Sequence, residues 1–185
     1  MPTKFSTFVV ATLLIVGATL VPPIAAAQPP SFPDVNAFTP VDPQGYVFVQ
    51  YLGSDPGNYT FNVHFSTSEG VACVWTYIQK GMENPNAYAG ITCMGDIPGI
   101  PDSVPDNGGL GCARVVSAPF SHQLVFDRHW GTCSPFPPGI PSLNAGQKIE
   151  TGNATCIVGA GNMTACIDPA HDIGFVLQPS GSWVF

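Results

Sequence analysis

The chain has 185 residues, with twelve acidic and five basic side chains and a formal net charge of −7. Charged residues make up 9% of it, against about 25% in an ordinary globular protein. A scatter of Asp with so few cations argues against nucleic-acid binding, which needs clustered Lys and Arg, and against docking on anionic lipid.

The chain opens as an export signal. Met1–Lys4 is a short basic start, Phe5–Val21 is apolar, and Ala25-Ala26-Ala27 supplies small residues for cleavage. Cleavage is expected after Ala27, so residues 1–27 are read as a signal peptide. Phe5–Val21 is short for a bilayer span of about 20 residues, and no basic cluster follows it. No cysteine stands at the cleavage site, the first being Cys73. The expected product is therefore secreted, outside the cell or in its envelope, with no stable membrane anchor after cleavage.

Residues 28–45 are rich in proline and lack periodicity, which predicts an extended N-terminal arm. Phe32, Val35 and Phe38 are expected to tack it onto a single domain over residues 46–185. Tyr46–Leu52 is an apolar-rich strand. After the Asp55-Pro56-Gly57 turn, Tyr59–Phe65 alternates, with Tyr59, Phe61, Val63 and Phe65 on one face and Thr60, Asn62 and an exposed His64 on the other. Val71–Tyr77 alternates again, so three strands form a meander. Gln79–Ala89 is the only stretch with a helical turn in prospect. Gly90–Met94 is a short strand, and residues 95–111 form a long Pro- and Gly-rich loop, a length that in compact domains is usually functional or mobile. Further strands are expected at Cys112–Val116, His122–Phe126, Lys148–Thr151 and Thr155–Val158. The chain closes with two hairpins, Cys156–Cys166 and Gly174–Phe185, with Phe175 and Phe185 as core residues. This is an all-β pattern of short antiparallel strands, a small sandwich or barrel.

Six cysteines behind a signal peptide imply disulfides. No C-x-x-C pair is present, so a metal site is not expected from them. Sequential bridges are preferred: Cys73–Cys93, Cys112–Cys133 and Cys156–Cys166. The last is the best placed, because a loop over Ala160-Gly161-Asn162 sets its cysteines opposite each other. A strand–turn–strand unit with one cysteine per strand thus occurs twice.

No catalytic motif stands out. His129 lies two residues after Asp127, and His171 adjoins Asp172; either could supply a general base to a small hydrolase. Adjacent strand residues point to opposite faces, which counts against such dyads, and turn or surface histidines are the plainer expectation. Pro179-Ser180-Gly181 reads as a turn rather than a nucleophile elbow. Asp96, Asp102 and Asp106 share a loop but lack calcium-loop spacing. No cofactor or metal is expected. Trp75, Tyr77 and Trp183 lie in strand-like runs and are expected in the core, which leaves Trp130, beside His129, as the exposed aromatic best suited to a ligand. Asn58, Asn153 and Asn162 fit the N-glycosylation pattern.

Several short motifs carry a resemblance. They are Phe32-Pro33-Asp34, Phe38-Thr39-Pro40-Val41, Phe65–Cys73 as F-x-x-S-x-G-x-x-C, Leu143-Asn144-Ala145-Gly146, Cys156, Thr164-Ala165-Cys166, Gly174-Phe175 and Val184-Phe185. Over most of residues 28–185 the chain resembles small secreted actinobacterial proteins, mycobacterial ones especially, whose function is unknown. Ser68 stands where those proteins usually carry Pro, and the 95–111 loop departs from the shorter relatives. The resemblance implies no activity. The expectation is a non-catalytic binding domain for an extracellular or cell-envelope ligand, with a His/Asp hydrolase as the alternative.

Overall fold

Apolar alternation in the first half of the chain and paired cysteines in both halves build two sheets that share one core. In the computed structural model the described residues are 31–51, 57–83, 89–105, 112–117, 123–129 and 139–185. At positions 112, 117 and 129 the description is of the backbone alone. The expected signal peptide, Trp130 and the Cys112–Cys133 bridge lie outside what is described.

Among the described residues, twelve strands form two six-stranded sheets. The first sheet is a meander in chain order: β2 (Val47–Tyr51), β3 (Tyr59–Ser66), β4 (Val71–Thr76), β5 (Thr92–Gly95), β6 (Cys112–Ser117) and β7 (Leu124–His129). The second has β1 (Thr39–Val41) at one edge, then β8 (Gln147–Glu150), β9 (Thr155–Gly159), β10 (Met163–Asp168), β11 (Ile173–Leu177) and β12 (Trp183–Val184). All neighbouring strands are antiparallel except β1, which runs parallel to β8. The fold is all-β, a disulfide-stapled sandwich. Regular helix among the described residues is limited to two short 3-10 turns, Val35–Ala37 and Pro43–Tyr46.

The core takes Val63, Phe65, Val71, Cys73, Trp75, Cys93 and Val115 from the first sheet and Ile149, Cys156, Val158, Cys166, Phe175 and Leu177 from the second. Full burial of a side chain such as Phe65 or Phe175 stabilises by roughly 1.5–3 kcal/mol. Trp75 is buried as its alternation implied, and its indole N–H donates to Thr151 Oγ1 at 3.1 Å. Phe185 departs from expectation. It is 42% exposed, with its ring edge to face against Phe32 at 5.9 Å, and it pairs with Gly174 through backbone hydrogen bonds.

The arm is part of the domain, which therefore begins before residue 46. Phe32, Val35 and Phe38 pack on Ile157, Ala165 and Val176, on the face of the second sheet turned away from the main core. Thr39–Val41 then pairs with Gln147–Ile149. Pro40 concealed this strand in the sequence. A proline lacks the N–H of a ladder and is tolerated only at an edge, which is where β1 sits.

The Cys156–Cys166 hairpin has the expected register. Gly159 pairs with Met163, which leaves Ala160-Gly161-Asn162 as the loop, and Cys156 faces Cys166. Gly161 and Asn162 both take positive φ, 69° and 62°, a backbone region that Gly and Asn enter at least cost. Cys73 faces Cys93 in the same way across β4 and β5, and both bridges are formed.

Candidate functional site

Three places combine exposure with chemistry. The first is a cleft of about 300 Å³ lined by Gly95, Asp96, Ile97, Gly99, Ile100, Ala113 and Arg128. It is built by the first part of the long loop that follows β5. Gly95 has φ +129°, and a Cβ there would lie 2.0 Å from the Gly70 carbonyl oxygen. Only glycine admits that approach, and it turns the chain out of the sheet toward Asp96. Gly99, at φ +58°, leaves no room for a Cβ against the Gln178 carbonyl and the Gly181 amide. Ser182 N–H donates to the Gly99 carbonyl at 2.7 Å, and Ser182 Oγ donates to the Pro98 carbonyl at 2.5 Å. The loop is thereby pinned to the turn between β11 and β12.

Arg128 enters this cleft from β7. It is paired with Ala113, two residues along the ladder from the Val115–Phe126 pair and so on the same, core-facing side of the sheet. The walls offer one cation, one carboxylate, backbone polar groups and three small apolar side chains. Such a lining, with a cation and a carboxylate in its walls, suits a small polar molecule.

The second place is a buried carboxylate beside a histidine. Asp168, at the end of β10, is fully buried. Its Oδ2 accepts the Ala89 N–H at 3.1 Å and lies 2.9 Å from His171 Nδ1, while its Oδ1 accepts the Ala170 N–H at 3.0 Å. The His171 side chain is 17% exposed. The arrangement orients an imidazole and ties the β10–β11 turn to the segment before β5. It lies at the end of β11 opposite the pinned loop, and neither residue lines the cleft.

The third is an aromatic ledge. Val49, Tyr51, Tyr59 and Phe61 are 45–63% exposed. They continue the core-facing side of β2 and β3 past the region where the second sheet covers it. Tyr51 and Tyr59 meet edge to face at 6.3 Å, and Tyr59 and Phe61 at 5.4 Å. Rings so inclined do not make the flat platform on which a sugar stacks.

No protein-family model, curated protein or solved structure matches the chain.

The residues singled out in the sequence are described only in part. Trp130 lies outside the described residues. His129 ends β7 with its backbone opposite Cys112. Asp127 is held by Arg114 through Nε at 2.9 Å and Nη2 at 2.6 Å, across the β6–β7 ladder. His171 is set against Asp168 rather than Asp172, because the turn from 168 to 171 folds the imidazole back over the strand end while Asp172 takes φ 53°. His64 is half-buried rather than exposed, with its ring 5.2 Å from that of Phe48, and burial holds its pKa below the ordinary 6.5. Cys73, Cys93 and Cys166 have sulfurs within 4.8 Å of one another. They are already joined in disulfides, so the cluster is a stack of bridges rather than a metal site. Asn153 is 1% exposed and unsuited to glycosylation in the folded protein, whereas Asn58 and Asn162 are exposed. The cleft itself was missed. Its signal was the spacing of Gly95 and Gly99 around Asp96, which read only as a loop.

Proposed function

We propose that the protein is exported, as the actinobacterial resemblance implies, and acts outside the cytoplasm as a non-catalytic binding domain for a small polar ligand. Two buried disulfides support the compartment, since such bridges persist where the surroundings are oxidising. The observation that carries the binding reading is Arg128 in the cleft beneath the Gly95–Ile100 loop.

Mass spectrometry of the exported protein is expected to find Gln28 at its N-terminus. The binding reading is tested by thermal-shift titration with free amino acids, small carboxylates and simple sugars, in wild type and Arg128→Gln. A ligand at a hundredfold its Kd stabilises by about 2.7 kcal/mol. A carboxylate-bearing compound is expected to raise the melting temperature of wild type and not of the variant. A full response in Arg128→Gln, or no response to any compound, would sink the assignment.

A second reading, a small hydrolase, rests on the 2.9 Å contact between His171 Nδ1 and Asp168. It requires ester or glycoside turnover that falls by about 100-fold or more in His171→Gln, the scale of one general base. Equal rates in both proteins would remove it.

A further inference from the structure

We infer that the edge strand β2 is a self-association surface, on which a second copy of this chain adds its own β2 in antiparallel register. This is independent of the cleft and of what it binds.

Sheet edges expose unpaired backbone groups, and proteins guard them with charge, proline or short strands. Among the described residues the two sheets have four edge strands: β1, β12, β2 and β7. β1 has three residues and contains Pro40, and β12 has two. β7 carries Asp127 and Arg128 and packs against β11 and β12. β2 has none of these guards. It is five residues, Val-Phe-Val-Gln-Tyr, and its last three are exposed. Among the described residues it pairs with β3 alone.

Electrostatics select the occupant. The chain carries twelve acidic residues, so most of its faces repel a second copy. No Asp, Glu, Lys or Arg occurs in 43–51 or in 57–66. The β2–β3 surface is therefore a neutral window in an acidic protein, and two copies meet there without placing like charges opposite each other. A partner recognised by charge would find nothing to pair with. The strand is also self-complementary. A two-fold axis through Val49 sets Val47 opposite Tyr51 of the other copy and Phe48 opposite Gln50. β-branched against aromatic is a favourable cross-strand pair. The two ledges then adjoin on one face, and the first sheets merge into one sheet across an isologous interface.

Sedimentation over a wide range of concentration tests this, with wild type, Val49→Lys and Val125→Lys. Val125 is 37% exposed on the guarded edge strand β7. Wild type and Val125→Lys are expected to form dimers, and Val49→Lys to remain monomeric, with at least a tenfold weaker association. Far-UV circular dichroism and counts of free thiols establish that each variant is folded. Hydrogen exchange of the wild-type dimer gives the second readout. Amides within 47–51 should slow on association and quicken on dilution. A monomeric wild type, a Val49→Lys dimer of undiminished affinity, or dimers with rapidly exchanging β2 amides would each overturn the proposal.

Discussion

His64 shows how one position can carry a pH dependence. Its ring is packed on Phe48, and burial lowers its pKa from the ordinary 6.5. Well above pH 6.5 the imidazole is neutral in both the folded and the unfolded chain and costs nothing. As the pH falls below 6.5 the unfolded chain takes up a proton that the folded chain resists, so stability is lost until the pH passes the folded value. His64→Gln is expected to lose less stability than wild type between pH 7.5 and pH 5, as read by urea denaturation at each pH. Equal losses in the two proteins would mean that the ring is solvated. The sequence placed His64 on the polar face of β3 correctly, but it could not show that Phe48 of the neighbouring strand lies over it. The same limit applied at Asp168. A carboxylate three residues before a histidine becomes its partner only through the shape of a turn, and a buried acid satisfied by backbone N–H groups leaves no mark in composition.

At the scale of elements, period-2 alternation gave β3 and β4 nearly to the residue, and the cysteine spacing gave the β9–β10 register. β7 lies later than its expected His122–Phe126, at Leu124–His129. Asp127 and Arg128, beyond the expected end of the strand, are edge-strand residues. The N-terminal arm is where an element can be removed cleanly. Phe32, Val35 and Phe38 cover Ile157, Ala165 and Val176, and each half-buried side chain is worth about 1 kcal/mol. A protein beginning at Thr39 is expected to be less stable by roughly 3 kcal/mol. It should also bind a hydrophobic dye that the longer chain does not. Unchanged stability without dye binding would show that the strap contributes no packing.

For the whole molecule, the two bridges set the conditions for reduction. Cys73, Cys93, Cys156 and Cys166 are all 0% exposed. A dithiol reductant in native buffer is expected to leave both bridges intact, while the same reductant in urea opens them; peptide mapping after alkylation reads the result. Free thiols at any of these four cysteines in the native protein would mean that the sheets separate readily. The closeness of the bridges also bears on how the chain matures. The sulfurs of Cys73, Cys93 and Cys166 lie within 4.8 Å of one another, although they come from different sheets. In a chain that docked its sheets while still reduced, a wrong sulfur would stand within 4.8 Å of the right ones. The native partners are only 20 and 10 residues apart in sequence, and short loops close at lower entropic cost than long ones. Oxidation of each hairpin before the halves meet therefore removes the ambiguity, and the order of assembly becomes part of what specifies the connectivity.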